Sequence, residues 1–375
     1  MIVLDKAIIF AQEVDEASLG QVTRLSESEL SKNSSLRMMP DLHYGKGATV
    51  GTTIRPLNGK LEKVAPDSVG VDIGCAIMTY KISKEHMSLD KLKKLDRIVH
   101  EYVPSGFNVK QYAYNKDIKM PTFTPVNPND KERIYHSLGT LGGGNHFIDL
   151  ALDENKEDYW LSVHSGSRKM GVLVASHHQN VANSNFGTKD SLNYLEGGEL
   201  QEYLYDMKIT QEYANMNRKA MLDVIVSQMG WTKQVTDGFD SVHNFISMED
   251  QILRKGATSA RDGERLIIPL NMAEGSLICT GKGNAMWNYS APHGAGRKMS
   301  RGEAKREIDL EAYKESVRHV YSTTVNQNTL DEAPQAYKNP VDIMNAITDT
   351  VEINQKTKPV YVFKDATSTK KWGKK

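Results

Sequence analysis

The spacing of apolar residues predicts several helices in this chain. Between residues 88 and 103, apolar side chains recur every three or four positions behind a serine, so we expect an amphipathic helix that begins there. A second helical pattern covers roughly residues 198–229 and stops at Gly230. Ser300 and Glu303 have the spacing of a capping box, which predicts a shorter helix beginning near Ser300.

Short runs rich in β-branched and aromatic residues predict strands. They occupy residues 76–82, 146–152, 159–163, 265–270 and 359–363. The Pro- and Asn-rich segment 120–130 is expected to be a loop. Because helices and strands alternate irregularly, the sequence predicts a mixed α/β (α+β) fold in which mixed β-sheets form a central core surrounded by helices.

Between the second and third of these strands lies DENKE, a polar stretch of five residues at positions 153–157. This length predicts a hairpin. With its turn centred on Asn155, His146 would lie directly opposite His164, and opposed side chains in a sheet are close neighbours. We therefore expect these two imidazoles to share one metal centre.

The amino-acid composition is typical of a globular protein and does not indicate which partners it binds. Of 375 residues, 39% are apolar and 25% charged, and the 47 Lys and Arg balance the 47 Asp and Glu, so net charge does not indicate a nucleic-acid or acidic partner. Only two cysteines occur, Cys75 and Cys279, and the first residues lack a secretory pattern. We therefore expect a cytoplasmic protein, and one without a membrane span because no apolar run is long enough.

Metal-ligating side chains occur in four short motifs that contain glycine or asparagine. The motifs are VGVDIGC (69–75), GGGNH (142–146), HSGSR (164–168) and HN (243–244). The candidate ligands are Asp72, Cys75, His146, His164 and His243. This mixture of carboxylate, thiolate and imidazole suits zinc, manganese or iron, and a bridging thiolate would allow a two-metal centre for phosphoryl chemistry. Each residue alone also fits a structural role, as a turn cap or a core residue.

A fifth motif, HGAGR at residues 293–297, lies just before the helix predicted at Ser300. Backbone N–H groups near a helix N-terminus, together with Arg297, would suit a phosphate group. The alternative is an ordinary glycine-rich turn that contains a partly buried histidine.

These motifs together carry a specific resemblance. Taken in order, VGVDIGC, GGGNHF, HSGSR, HN and HGAGR resemble the RtcB family of RNA 3′-phosphate ligases, and the match runs from residues 39–51 to residues 359–364. The resemblance implies an RtcB-like fold and a GTP- and Mn²⁺-dependent enzyme. Such a ligase joins RNA 2′,3′-cyclic phosphate or 3′-phosphate ends to 5′-hydroxyl ends in RNA repair or tRNA splicing.

The resemblance also implies roles for individual residues. His293 would attack GTP and carry GMP, which then forms an activated RNA-ppG end, and the five candidate ligands would hold two Mn²⁺ ions. GTP contacts would come from the HGAGR turn, through Gly294, Ala295, Gly296 and Arg297. Further contacts would come from Asn145, Asp149, Asn244, Ser276 and Lys364. Arg168 and Arg297 would contact RNA phosphates, and the protein archease is a candidate partner beside RNA and GTP.

Some residues depart from the family pattern. Asp149 stands where glutamate is common, Ala76 follows Cys75 where glycine is common, and residues 271–284 differ from the usual serine-rich segment. These departures bear on substrate range more than on chemistry, and they indicate a compact branch that serves RNA repair.

The dispersed positions of these residues require one interwoven unit. We therefore expect a single catalytic domain over residues 1–364, followed by a polar, lysine-rich tail at 365–375. Two other functions remain open on the sequence. A two-metal cyclic phosphodiesterase would use the same ligands to activate water without ligation, and an RNA-binding repair component would have lost catalysis.

Overall fold

Helices and strands alternate irregularly in the computed structural model, which describes residues 2–4, 6–83, 85–155 and 157–367. Eight α-helices occur in this part of the chain. Their bounds are α1 Glu16–Glu27, α2 Leu89–Tyr102, α3 Pro128–Ser137, α4 Arg168–Phe186, α5 Gly197–Met229, α6 Arg301–Glu307, α7 Leu310–Ser316 and α8 Pro340–Ala346. Short 3₁₀ turns include Pro66–Ser68 and Gln327–Glu332.

Seventeen strands occur in the described part of the chain, several of them only two or three residues long. They are β1 Ile2–Val3, β2 Ala7–Ile9, β3 Ser34–His43, β4 Val50–Pro56, β5 Lys63–Val64, β6 Ala76–Ser83, β7 Phe147–Asp153, β8 Asp158–Ser165, β9 Leu195–Glu196, β10 Val235–Val242, β11 Asn244–Ile246, β12 Leu253–Lys255, β13 Ala257–Ser259, β14 Arg265–Asn271, β15 Gly275–Gly281, β16 Ser290–Pro292 and β17 Val351–Lys364.

The helices predicted from apolar spacing are confirmed. The hydroxyl of Ser88 accepts a hydrogen bond from the backbone N–H of Lys91 and starts α2, and α5 runs to Met229 before Gly230. Both halves of the capping box between Ser300 and Glu303 are present at the start of α6. Side-chain acceptors at these positions satisfy N–H groups that have no partner inside the helix.

The loop expected over residues 120–130 is wrong in its last three positions, where α3 already begins. Asn127 caps this helix, because its side-chain oxygen accepts a hydrogen bond from the N–H of Asp130 at 2.9 Å. Proline is well tolerated in the first helical turn, and Pro128 occupies that place. The Pro and Asn residues therefore mark a helix start as well as a loop.

Two layers, each consisting of a β-sheet packed against helices, form the core. The six-stranded sheet has the order β1-β2-β3-β4-β12-β11, and apolar side chains from it pack with α1, α4 and the first half of α5. The seven-stranded sheet has the order β10-β6-β8-β7-β17-β15-β14, and it packs against α2 and the second half of α5. The predicted mixed α/β fold, with sheets at its centre and helices around them, is confirmed.

Helix α5 connects these two layers. It has 33 residues and is therefore about 50 Å long. Tyr203 and Met207 in its first half are buried with the six-stranded sheet, whereas Met221 and Ile225 in its second half are buried with the seven-stranded sheet. No helix among the described residues is both long and apolar enough to cross a membrane.

The hairpin of β7 and β8 forms as predicted, but its register was predicted wrongly. Phe147, not His146, is paired with His164, and Leu152 is paired with Tyr159. An even number of residues separates Leu152 from Tyr159, so the centre of the connection falls between two residues rather than on Asn155. Such a shift by one residue reverses which face of the sheet a side chain occupies.

Candidate metal centre and nucleotide pocket

Four of the five candidate ligands lie at one edge of the seven-stranded sheet. Cys75 immediately precedes β6, His146 immediately precedes β7, His164 is near the end of β8, and His243 immediately follows β10. The antiparallel pairings between these strands bring their ends together, with Ala76 beside both Val242 and Ser165. Antiparallel order thus converts four distant sequence positions into one cluster.

Asp72 reaches this edge from the turn before β6, where the N–H of Cys75 donates to the Asp72 carbonyl at 3.1 Å. Gly74 has a φ of +71°, and a Cβ at this position would lie 3.0 Å from the Cα of Gln211 on α5. Only glycine combines that backbone conformation with so close an approach to a helix. The VGVDIGC motif therefore folds tightly enough to direct both Asp72 and Cys75 to the cluster.

The ligand atoms form two sets that share one thiol. Sγ of Cys75 is 3.3 Å from Nε2 of His164, and that nitrogen is 3.2 Å from Nε2 of His243. On the other side, Sγ is 3.5 Å from Nε2 of His146, which is 2.8 Å from Oδ2 of Asp72. Within each set, all ligand atoms lie within 4.8 Å of one another. His146 and His164 therefore meet despite the shifted register of the hairpin.

Hydrogen bonds from the Nδ1 atoms hold the imidazoles in place. Nδ1 of His146 is 2.8 Å from the carbonyl of Leu141, and Nδ1 of His164 is 3.2 Å from the carbonyl of Asn145. In each ring the Nδ1–H donates to a carbonyl, which orients the ring so that Nε2 faces the cluster. Burial, and then the neighbouring His243, hold the pKa of His164 well below its usual range, so this ring is neutral.

The donor set fits metal cations. Burial first, and then the charge of Asp72, raise the pKa of the Cys75 thiol well above its usual value. A buried thiol loses its proton readily only when a cation compensates the charge of the thiolate. Imidazole nitrogens, one carboxylate and one central sulfur are ligand types that two cations with a shared ligand can use.

His293 lies beside this centre. It follows β16, and its ring centroid is 4.9 Å from that of His243. Nδ1 of His293 is 2.6 Å from Oδ2 of Asp41, a residue of β3 with no exposed surface. The carboxylate is placed to accept an Nδ1–H from His293, an arrangement in which the lone pair of the imidazole lies on Nε2.

Asp41 was missed as a functional residue by sequence reasoning. A signal for it was available, because it lies in the segment MPDLHYGKGATVG that carries part of the family resemblance. The same aspartate also uses its backbone, since Nδ1 of His43 is 2.9 Å from its carbonyl. Burial, opposed by that hydrogen bond, lowers the pKa of His43 to about 4, so the His43 ring beside Asp41 is uncharged at neutral pH.

A cavity of about 680 Å³ opens next to His293. It is lined by most of the residues predicted to contact the nucleotide, namely Asn145, Asp149, Ser276, His293, Gly294, Ala295, Gly296, Arg297 and Lys364, and also by His164 of the metal cluster. Asn244 does not line it. Its side chain instead accepts from the N–H of Gly256 at 2.8 Å and donates to the carbonyl of Asp72 at 3.4 Å, which ties two segments of the site together.

One wall of the cavity carries an aspartate with unused hydrogen-bonding capacity. Asp149 on β7 is only 5% exposed, and its Oδ1 has no hydrogen-bond partner among the described residues. Burial raises the pKa of Asp149 to about 7, although Ser162 and Lys364 oppose the rise. A buried acceptor without a partner is costly, so a ligand that supplies N–H donors would satisfy it.

Glu332 is a second residue that sequence reasoning missed. Its buried carboxylate accepts hydrogen bonds from Lys364 at 2.7 Å, Arg301 at 2.6 Å and the hydroxyl of Tyr337 at 2.8 Å, and Arg297 is 3.5 Å away. Burial would raise its pKa, but Lys364 and Arg301 outweigh this effect and hold the pKa at about 2. Glu332 thus fixes three cationic side chains on one side of the cavity.

The two predicted phosphate arginines lie in different places. Arg297 lines the cavity, and its guanidinium donates to the carbonyl of Asp331 at 2.6 Å. Arg168 lies at the start of α4 with a φ of +54°, and it donates to the carbonyl of Gly106 at 2.9 Å. Positive φ is strained for arginine, and such strain is concentrated at functional sites.

Comparison with known proteins decides the family. Residues 21–121 and 108–365 match the family model described as tRNA-splicing ligase RtcB. The RNA-splicing ligase RtcB of Escherichia coli (strain K12) is 31% identical, with 85% of this chain and 87% of that protein covered. The chain belongs to the RtcB family. The resemblance predicted from the five motifs is therefore confirmed, and with it the RtcB-like fold.

More distant RtcB proteins match over a similar extent. The tRNA-splicing ligase RtcB of Aeropyrum pernix is 28% identical, with 87% of each chain covered. That of Thermococcus kodakarensis is 25% identical, with 83% of each chain covered. The clustered donors at Cys75, His164 and His243 form a candidate metal site in this RtcB protein.

Proposed function

We propose that this RNA ligase joins RNA ends that carry a 2′,3′-cyclic phosphate or 3′-phosphate to ends that carry a 5′-hydroxyl. It does so through GMP carried on His293 and an RNA-ppG activated end. One observation carries the proposal: His293 lies between the cavity and the metal cluster, with its Nδ1 held by the buried Asp41. RtcB family membership supports RNA as the substrate.

Asp72, Cys75, His146, His164 and His243 would hold two Mn²⁺ ions, with Cys75 shared between them. When bound, the ions supply positive charge that neutralises phosphate oxygens and orients the pyrophosphate leaving group. The protein contributes the fixed Nε2 atoms, the buried thiol and the hydrogen bonds that keep each ring in place.

The first step is nucleophilic attack by His293. Asp41 accepts the Nδ1–H, so the lone pair of Nε2 attacks the α-phosphorus of GTP, an N–P bond forms, and the bond to pyrophosphate breaks. An oxygen of the RNA 3′-phosphate then attacks the same phosphorus, which frees His293 and creates the RNA-ppG end. The 5′-hydroxyl finally attacks the RNA phosphate and displaces GMP, while opening of a cyclic phosphate consumes one water molecule beforehand.

The cavity would hold the GTP. Asp149, with its free oxygen, would accept the N–H groups of guanine, and Ser276 and Lys364 would complete the base site. The HGAGR turn, with Gly294, Ala295, Gly296 and Arg297, would contact the phosphates together with Asn145. Asn244 would act by holding the Asp72 turn in place, as its contacts indicate.

On the RNA side, Arg168 would contact phosphate beside the metal centre.

We further propose that residues 1–364 act as one catalytic unit, because α5 is buried against both sheets that supply the site. The two cysteines are buried and unpaired, which fits a reducing cytoplasm. RNA repair, with archease as a candidate partner, is the proposed setting. Of the predicted tail, residues 368–375 lie outside the described residues.

The test is guanylylation with α-labelled GTP and Mn²⁺ in the absence of RNA. We expect a labelled protein that loses its label in acid and keeps it in alkali, as phosphoramidates do. His293→Ala should remove the label while retaining Mn²⁺ binding, whereas His319→Ala, at an exposed histidine, should label normally. Active protein that forms no adduct would refute the proposal. Opening of cyclic-phosphate RNA without GTP and without joining would favour the phosphodiesterase alternative.

A further inference from the structure

A long irregular segment between α2 and α3 exposes aromatic side chains. We name residues 104–127 the aromatic loop, since they contain no helix and no strand beyond one isolated bridge. Phe107 is 84% exposed, more than any other large apolar side chain in the described part of the chain, and Tyr112 and Tyr114 are 77% and 55% exposed. Irregular connections of this length in compact proteins are usually either functional or disordered.

The aromatic loop is firmly attached to the protein. The carboxylate of Asp206 on α5 accepts the N–H groups of Thr122, Phe123 and Thr124 at 2.7–3.2 Å. Lys110 pairs with the backbone of His136, because its N–H donates to that carbonyl at 3.0 Å. The exposed rings therefore project from an anchored backbone, and their exposure is a feature of the folded state.

The same loop is joined to the metal centre. The N–H of Gly106 donates to the carbonyl of Gly142 at 2.9 Å, and the guanidinium of Arg168 donates to the carbonyl of Gly106 at 2.9 Å. Gly142 begins the motif that ends at His146, a member of the metal cluster. Arg168 thus holds the peptide group that links Gly106 to Phe107.

Single exposed aromatic residues are common, but this pattern is specific. The loop contains three lysines and a single aspartate, and the lysines are interspersed among the aromatic residues. Lys116 and Lys119 are exposed. Aromatic rings interleaved with cations beside a phosphate-binding centre match the requirements of single-stranded nucleic acid, in which every base has a π face and every link a negative charge.

We propose that the aromatic loop binds the single-stranded RNA next to the break, with bases stacking on Phe107, Tyr112 and Tyr114 while the terminal phosphate is held at the metal centre. This proposal rests on the proposed RNA ligase function and extends it. It assigns RNA recognition to a surface outside the nucleotide cavity, and it explains why aromatic side chains are kept out of the core.

The test compares Phe107→Ala, Tyr112→Ala, Tyr114→Ala and the triple variant with Phe107→Trp. Phe186→Ala is the matched control, because Phe186 is a half-exposed ring at the far end of α4, about 27 Å along that helix from Arg168. The probe is a labelled 12-nucleotide RNA with a 3′-phosphate, measured by fluorescence anisotropy without GTP. A blunt RNA duplex is measured in parallel.

We expect each alanine variant to bind the single-stranded RNA roughly tenfold more weakly and to raise the KM for RNA, since stacking of one base contributes that much. Phe107→Trp should retain affinity, and all variants should form the GMP adduct as the wild type does. Unchanged RNA affinity in the triple variant would overturn the proposal, as would an equal loss for the duplex. Failure of the proposed function looks different, because the wild type itself would then form no adduct.

Discussion

Replacing Glu332 with glutamine tests whether one buried carboxylate organises the nucleotide cavity. The substitution keeps the size of the side chain but removes the charge that Lys364 and Arg301 neutralise at 2.7 and 2.6 Å. Breaking a buried charge pair is costly because the remaining charges lose their partner. We expect lower stability and weaker GTP binding, since both cations would lose a fixed position.

The magnitude follows from the pKa of Glu332, which falls from an ordinary 4.5 to about 2 in the folded protein. A lowered pKa stabilises the folded state above the unfolded value, and the benefit is lost as pH falls toward 2. At pH 7 this amounts to about 3 kcal/mol, and at pH 3.5 to about 2 kcal/mol. For 375 residues, 3 kcal/mol corresponds to a decrease in Tm of about 4 °C.

The assay is thermal and urea unfolding of the wild type and Glu332→Gln between pH 7 and pH 3.5, together with the KM for GTP in guanylylation. Glu311→Gln is the control, because Glu311 is exposed and, within the described part of the chain, pairs only with Lys314 at the surface. We expect the control to be unchanged, as surface pairs contribute little. Equal Tm values for wild type and Glu332→Gln at pH 7, or a difference that grows as pH falls, would refute the reasoning.

Three further predictions concern the catalytic centre. Asp41→Asn should lower guanylylation at least about 100-fold with folding intact. The reason is that an amide no longer fixes the proton on Nδ1 of His293. Near wild-type labelling would contradict this prediction. Asp149→Asn should raise the Tm at pH 8 and weaken GTP binding. Because the pKa of Asp149 is about 7 in the folded protein, ionisation of this carboxyl destabilises the folded state above the ordinary pKa of aspartate. A lower Tm of the variant at pH 8 would show that no buried charge had been relieved. Gly142→Ala should abolish ligation, because φ at this position is +85° and a Cβ would overlap the guanidinium of Arg168. Unchanged RNA joining would show that the close approach of Gly142 and Arg168 is dispensable.

The sequence alone predicted the features that depend on local pattern. Apolar spacing and caps identified α2, α5 and α6, because amphipathicity and unpaired helix ends act within a few residues. The same holds for the ligand-bearing motifs, where glycine and asparagine mark tight turns around Cys75 and His146. The order of these motifs along the chain was enough to predict the RtcB family.

Tertiary structure decided the contacts between distant segments. The register of β7 and β8 depends on a difference of one residue in the turn, which periodicity does not specify. Asp41 reaches His293 across 252 positions, and Glu332 collects cations from α6 and β17. No periodic pattern encodes such pairs, because they arise when burial brings separate elements together and each buried charge must find a partner.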